Sequence, residues 1–80
     1  MSSGGRWKVV VRNDDHNTFA IVYRALRSHY AMTEDQARFV TEDVHLTGTG
    51  AAALHTDRAE AEAAVVALQR QGLNAKLEAE

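Results

Sequence analysis

Cysteine and proline are both missing from this 80-residue chain. Without a thiol there is no disulfide, no cysteine nucleophile and no cysteine-based zinc site. Without proline no element is kinked or stopped by a missing N–H, so breaks must come from glycine and small polar residues. Aromatic side chains are scarce, with one Trp, two Tyr and two Phe. No apolar run approaches the roughly 20 residues that cross a bilayer as a helix, which speaks against a membrane partner. Charge of one sign is not concentrated either. Nine Lys and Arg stand against eleven Asp and Glu, for a net charge of −2, and no basic patch of the kind nucleic acid requires is visible. The opening Met1-Ser2-Ser3-Gly4-Gly5 lacks the charged-then-apolar layout of a signal peptide. Residues 1–6 are therefore expected to form a flexible lead, residues 7–80 a single small domain, and a cytoplasmic location is the default expectation.

What is present is patterned. Arg6 to Arg12, RWKVVVR, carries the β-branched run of a buried strand. Asn13-Asp14-Asp15-His16-Asn17 then interrupts it with turn formers. Phe19, Val22, Tyr23 and Leu26 fall at i, i+3, i+4 and i+7, the stripe of an amphipathic helix. Thr33 and Gln36 read as a capping box opening a second helix with Ala37, Val40 and Val44 inward and Gly48 at its end. Ala51 to Leu54 reads as a short strand, after a hairpin-like bend at Gly48-Thr49-Gly50. Asp57 and Glu60 open a third helix with Ala61, Ala64, Val65 and Leu68 inward, and Gly72 suits a left-handed cap. Leu73 to Leu77 closes as a strand. The order β-α-α-β-α-β predicts an α+β fold, a three-stranded sheet packed by three helices.

Few residues offer chemistry. Asn13-Asp14-Asp15 admits two readings: backbone-directed turn bonds, or an acceptor-only cluster suited to an ammonium ion, which is all donors. His45, 31 residues beyond Asp14 and on the last turn of the second helix, is either a favourable charge at a helix C-terminus or a ligand group. No His-x-x-x-His spacing suggests a metal, and His29 and His55 read as surface or edge residues. No Gly-x-Ser-x-Gly, phosphate-cradling glycine loop or thiol points to catalysis. The expectation is a non-enzymatic protein without cofactor or metal.

From Trp7 to Glu78 the chain resembles the ClpS family of adaptors. WKVVVRNDDHNTF is similar to that family's first strand and Asn-Asp-Asp loop. MTEDQARFVTEDVH resembles its second helix ending in Val-His, with a glycine three residues on. LQRQGLNAKLE resembles its closing helix, Gly-Leu turn and strand. The Asn-Asp-Asp and Val-His pieces at this separation form the specific pair.

The resemblance implies a binding function. Such adaptors capture N-degrons, proteins whose exposed first residue is Phe, Tyr, Trp or Leu, and hand them to a Clp-family AAA+ unfoldase of the ClpA or ClpC type. Carried over position by position, Asn13, Asp14 and His45 would hold the α-amino group, with Asp15 supporting the loop. Phe19, Thr41, Val44 and Leu73 would line the side-chain pocket. The family commonly has methionine at the positions of Phe19 and Thr41, and proline at Thr18. Two other readings compete. One is a ClpS-like peptide binder in another pathway without delivery to a protease. The other is the C-terminal domain of the ribosomal stalk protein, which shares the element order but carries a Lys- and Gly-rich second helix where this chain has the acidic TEDQARFVTEDVH.

Overall fold

The computed structural model describes residues 5–80, so the flexible lead expected over residues 1–6 lies mostly outside the described residues. Trp7–Arg12 forms β1, Phe19–Tyr30 α1, Glu34–Thr47 α2, Thr49–His55 β2, Arg58–Arg70 α3 and Asn74–Ala79 β3. Both outer strands pair antiparallel to β1 in the sheet order β2-β1-β3. The α+β order is the one the patterning predicts.

A valine-rich run belongs in the middle of a sheet, where β-branched side chains pack against neighbours on both sides. Val9 and Val11 are fully buried, facing the layer of Val22, Leu26, Val44 and Leu68 that the three helices contribute. Val9 stands between Ala53 and Leu77, and Val11 between Gly50 and Ala75. Pairing with β3 runs past Trp7, because the Glu80 N–H donates to the Arg6 carbonyl at 2.9 Å. The sheet's other face is mixed, with Lys76 and Glu78 paired at 3.1 Å.

Caps fix where the helices begin and end. Thr18 Oγ1 accepts from the Ile21 N–H at the start of α1. The Thr33–Gln36 capping box is formed in both directions, at 3.2 and 3.1 Å. Asp57 caps α3 through the Ala59 N–H, and the Glu60 carboxylate lies 3.9 Å from Nδ1 of the His55 ring. His55 is less exposed than a surface histidine, its side chain retaining 19% of its accessible area and its Nε2 lying 3.4 Å from the Tyr30 phenol. At the end of α3, Gly72 has φ +93°, and the bonds Gly72 N–H to Gln69 O and Leu73 N–H to Leu68 O complete a Schellman turn.

One expectation needs correction. Gly48-Thr49-Gly50 is not a hairpin-like bend. Gly48 is the left-handed cap of α2, at φ 95° with its N–H on Val44 O, while Thr49 and Gly50 pair with Arg12 and Val11 in β2. The strand therefore starts two residues before Ala51 and runs to His55. A glycine inside a strand marks a close approach of other groups. A Cβ added at Gly50 would lie 2.8 Å from Val44 Cγ2 and 3.0 Å from the Val40 carbonyl. The bare backbone of β2 thus lets the last two turns of α2 settle directly on the sheet.

Gly50→Ala should accordingly lose about 1–3 kcal/mol, the usual penalty of overpacking. Val44→Ala removes one of the two clashing groups, so urea unfolding of the double mutant should show a loss smaller than the sum of the two single losses. Strict additivity would mean that the Gly50–Val44 contact does not set the helix position.

Candidate functional site

The polar turn after β1 and the C-terminal end of α2 meet at one backbone bond. The Asn13 N–H donates to the Gly48 carbonyl at 2.9 Å. This fixes Asn13 three residues from His45 along the neighbouring chain. Asn13 and Asp15 are exposed and Asp14 is half-buried.

Asp14 does the turn-forming work itself. Its Oδ1 accepts from the His16 N–H at 2.9 Å, the Asn17 N–H at 3.0 Å and the Asn17 side-chain Nδ2 at 2.9 Å. Asn17, only 7% exposed, closes the turn from below. Its part was not singled out in the sequence, although a short amide three residues after an aspartate is the spacing of such a motif. Among the described residues Oδ2 takes no donor. The two readings of Asp14 are therefore compatible: one oxygen holds the loop and the other is open to a ligand.

His45 is half-exposed on the last turn of α2. Its Nδ1 lies 3.0 Å from the Thr41 carbonyl. A carbonyl can only accept, so Nδ1 carries a proton; in the neutral form of the ring Nε2 is then the lone-pair acceptor. The carbonyl end of the helix adds negative potential at the same place. The Phe19 ring leans on the imidazole, centroids 5.7 Å apart, and stacks on Tyr23 at 6.2 Å.

The residues expected to line an apolar pocket are distributed unevenly. Thr41 and Val44 are fully buried and Leu73 is 4% exposed, whereas Phe19 is 39% exposed at the first position of α1. Thr41 does not present its hydroxyl to the site, since Oγ1 donates to the Ala37 carbonyl at 2.6 Å. Whatever wall it offers is its methyl. Val44 and Leu73 belong to the common core. Gly50, which seats this end of α2, was read in the sequence only as part of a bend; a glycine adjoining a strand run was the available signal of a close approach.

The arrangement defines a class: a small α+β domain in which a polar turn after the central strand is bonded to the C-terminal end of the second helix. A sequence model of the family described as "ATP-dependent Clp protease adaptor protein ClpS" matches residues 2–78. The chain belongs to the ClpS family. It is 35% identical over 69 residues to the ATP-dependent Clp protease adapter protein ClpS of Deinococcus radiodurans, covering 82% of this chain and 61% of that protein. It is 41% identical over 46 residues to the protein of the same name from Bdellovibrio bacteriovorus, covering 58% of this chain and 40% of that one. The chain thus spans less than two thirds of the length of either relative. Agrobacterium tumefaciens ClpS2, solved bound to L-phenylalaninamide, superposes with a TM-score of 0.89 at 25% identity, covering 96% of this chain and 99% of that one.

Two substitutions separate the two oxygens of Asp14. Asp14→Asn keeps a carbonyl oxygen for the three turn bonds and should leave urea-unfolding stability within about 0.5 kcal/mol, as for an ordinary surface change. Asp14→Ala strands those donors and should lose about 1–3 kcal/mol. Equal losses in the two variants would mean that Oδ1 does not hold the turn.

Proposed function

We propose that this chain binds the free N-terminus of proteins whose first residue is bulky and hydrophobic, and presents them to a Clp-family AAA+ unfoldase. The observation that carries the reading is the 2.9 Å bond from the Asn13 N–H to the Gly48 carbonyl, which sets the Asn13-Asp14-Asp15 turn beside the end of α2 that carries His45; the Asn13 side-chain oxygen, Asp14 Oδ2 and His45 Nε2 would be the acceptors. An α-ammonium group brings three N–H donors and a positive charge. Bonds of this charge-assisted kind are about twice as strong as neutral ones. Asp15 adds negative potential at the rim.

L-Phenylalaninamide, the ligand in the ClpS2 structure, has the chemistry of a first residue: a free amine, a benzyl side chain, and an amide where the next residue would begin. In this chain the side chain would pack among Phe19, the Thr41 methyl, Val44 and Leu73. Burying it adds about 1.5–3 kcal/mol. An internal residue has an amide nitrogen in place of the ammonium and a preceding residue that must go somewhere, so the three acceptors would be left unmatched. Discrimination between an end and an interior therefore comes mainly from the polar half of the site, and discrimination among first residues from the apolar half.

Calorimetry with a Phe-initiated peptide, free and N-acetylated, is the test. A hydrogen bond to a charged group contributes about 1.5–3 kcal/mol, so acetylation should weaken binding more than about tenfold. His45→Ala should do the same to the free peptide and change little for the acetylated one. Equal affinity of the free and acetylated peptides would rule out capture of an N-terminus.

A further inference from the structure

Along the outer face of α1 runs a groove of about 530 Å3 lined by Ala20, Tyr23, Arg24, Arg27 and Ser28. It begins where the candidate site ends, since Tyr23 stacks on Phe19 and Phe19 leans on His45. Two guanidinium groups stand on it in a chain whose net charge is negative. Arg27 is partly engaged, donating to the Met32 carbonyl at 3.3 Å and lying 3.7 Å from a Glu34 oxygen. Arg24 has no carboxylate within 4.0 Å among the described residues.

Resting on the function proposed above, we propose that this groove holds the residues following the captured first residue, and that Arg24 and Arg27 select a carboxylate side chain there. The spacing sets the register. From Phe19 to Arg24 the helix rises roughly 7.5 Å, and from Phe19 to Arg27 roughly 12 Å, at about 1.5 Å per residue. An extended substrate advances about 3.3 Å per residue. The third residue of the substrate then falls opposite Arg24, and the fourth or fifth opposite Arg27. The second residue lies beside the opposite charge, because Asp14 and Asp15 flank the amine. An acidic side chain is thus disfavoured at position two and favoured at positions three and four. A general attraction for acidic peptides would show no such reversal within two residues.

Phe-initiated peptides carrying a single Glu or Lys at position two, three or four test this by calorimetry at low and physiological salt. Exposed ion pairs are modest and screened, so Glu at position three or four should bind about two- to fivefold better than Lys at low salt, with the order inverted at position two. Arg24→Glu should reverse the preference at position three while leaving that at position two intact. If Glu and Lys bind alike at positions three and four, or Arg24→Glu leaves their order unchanged, the groove is not the path of the substrate. N-acetylated versions of the same peptides separate the two proposals. Sensitivity to acetylation without position dependence overturns only the groove, whereas insensitivity to acetylation removes the underlying function.

Discussion

A backbone hydrogen bond between two segments that are distant in sequence, the Asn13 N–H and the Gly48 carbonyl, ties the Asn13-Asp14-Asp15 turn to the end of α2 that carries His45. On one side of it β1 ends and the Asp14 turn begins. On the other α2 ends in a left-handed glycine and the chain enters β2 at once. The bond forms because α2 reaches the sheet without a side chain in the way: at Gly50 the backbone approaches Val44 and the Val40 carbonyl more closely than a methyl group allows. That close approach belongs to packing, yet its consequence is electrostatic. It brings the carbonyl end of a helix, an imidazole and a carboxylate together at the surface.

The polar and apolar halves of the site are built differently, and this divides their roles. The acceptors are preorganised by bonds that the domain needs in any case. Asp14 is held by three donors to Oδ1, and the His45 ring is oriented by the Thr41 carbonyl. Little conformational freedom remains to be lost when a ligand arrives. The candidate apolar residues divide between the surface and the interior: Phe19 rests against His45 and is partly exposed, while Thr41, Val44 and Leu73 are buried. An 80-residue domain has little core to spare, and in the proposed reading Val44 and Leu73, which the fold already buries, would serve as core and pocket wall at once.

Much of this was legible in the residues. The element order, the Thr33–Gln36 capping box, the inward stripe of α3 and the turn at Gly72 follow from periodicity and capping chemistry that act locally. The acceptor cluster could be named because strand end, turn and helix end each carry a local signature, and because the pairing of Asn-Asp-Asp with Val-His resembles a known family. What escaped was set by contacts between elements. Gly48-Thr49-Gly50 has the composition of a bend, but pairing with β1 draws Thr49 and Gly50 into a strand. Thr41 was expected to line the pocket, and its hydroxyl is taken by the Ala37 carbonyl one turn back. In each case a partner distant in sequence, or the geometry of a helix interior, outweighed local propensity.

The account rests on His45 offering Nε2 as an acceptor to a ligand ammonium. Nitrogen-15 NMR of the imidazole at neutral pH, with and without L-phenylalaninamide, reads this directly. The account predicts a protonated Nδ1 in the free domain, and on binding a shift of the Nε2 resonance in the direction of a lone pair that gains a hydrogen-bond donor, with Nδ1 still protonated. A proton on Nε2 in the free domain, or ligand binding that leaves both nitrogens unchanged, would contradict it.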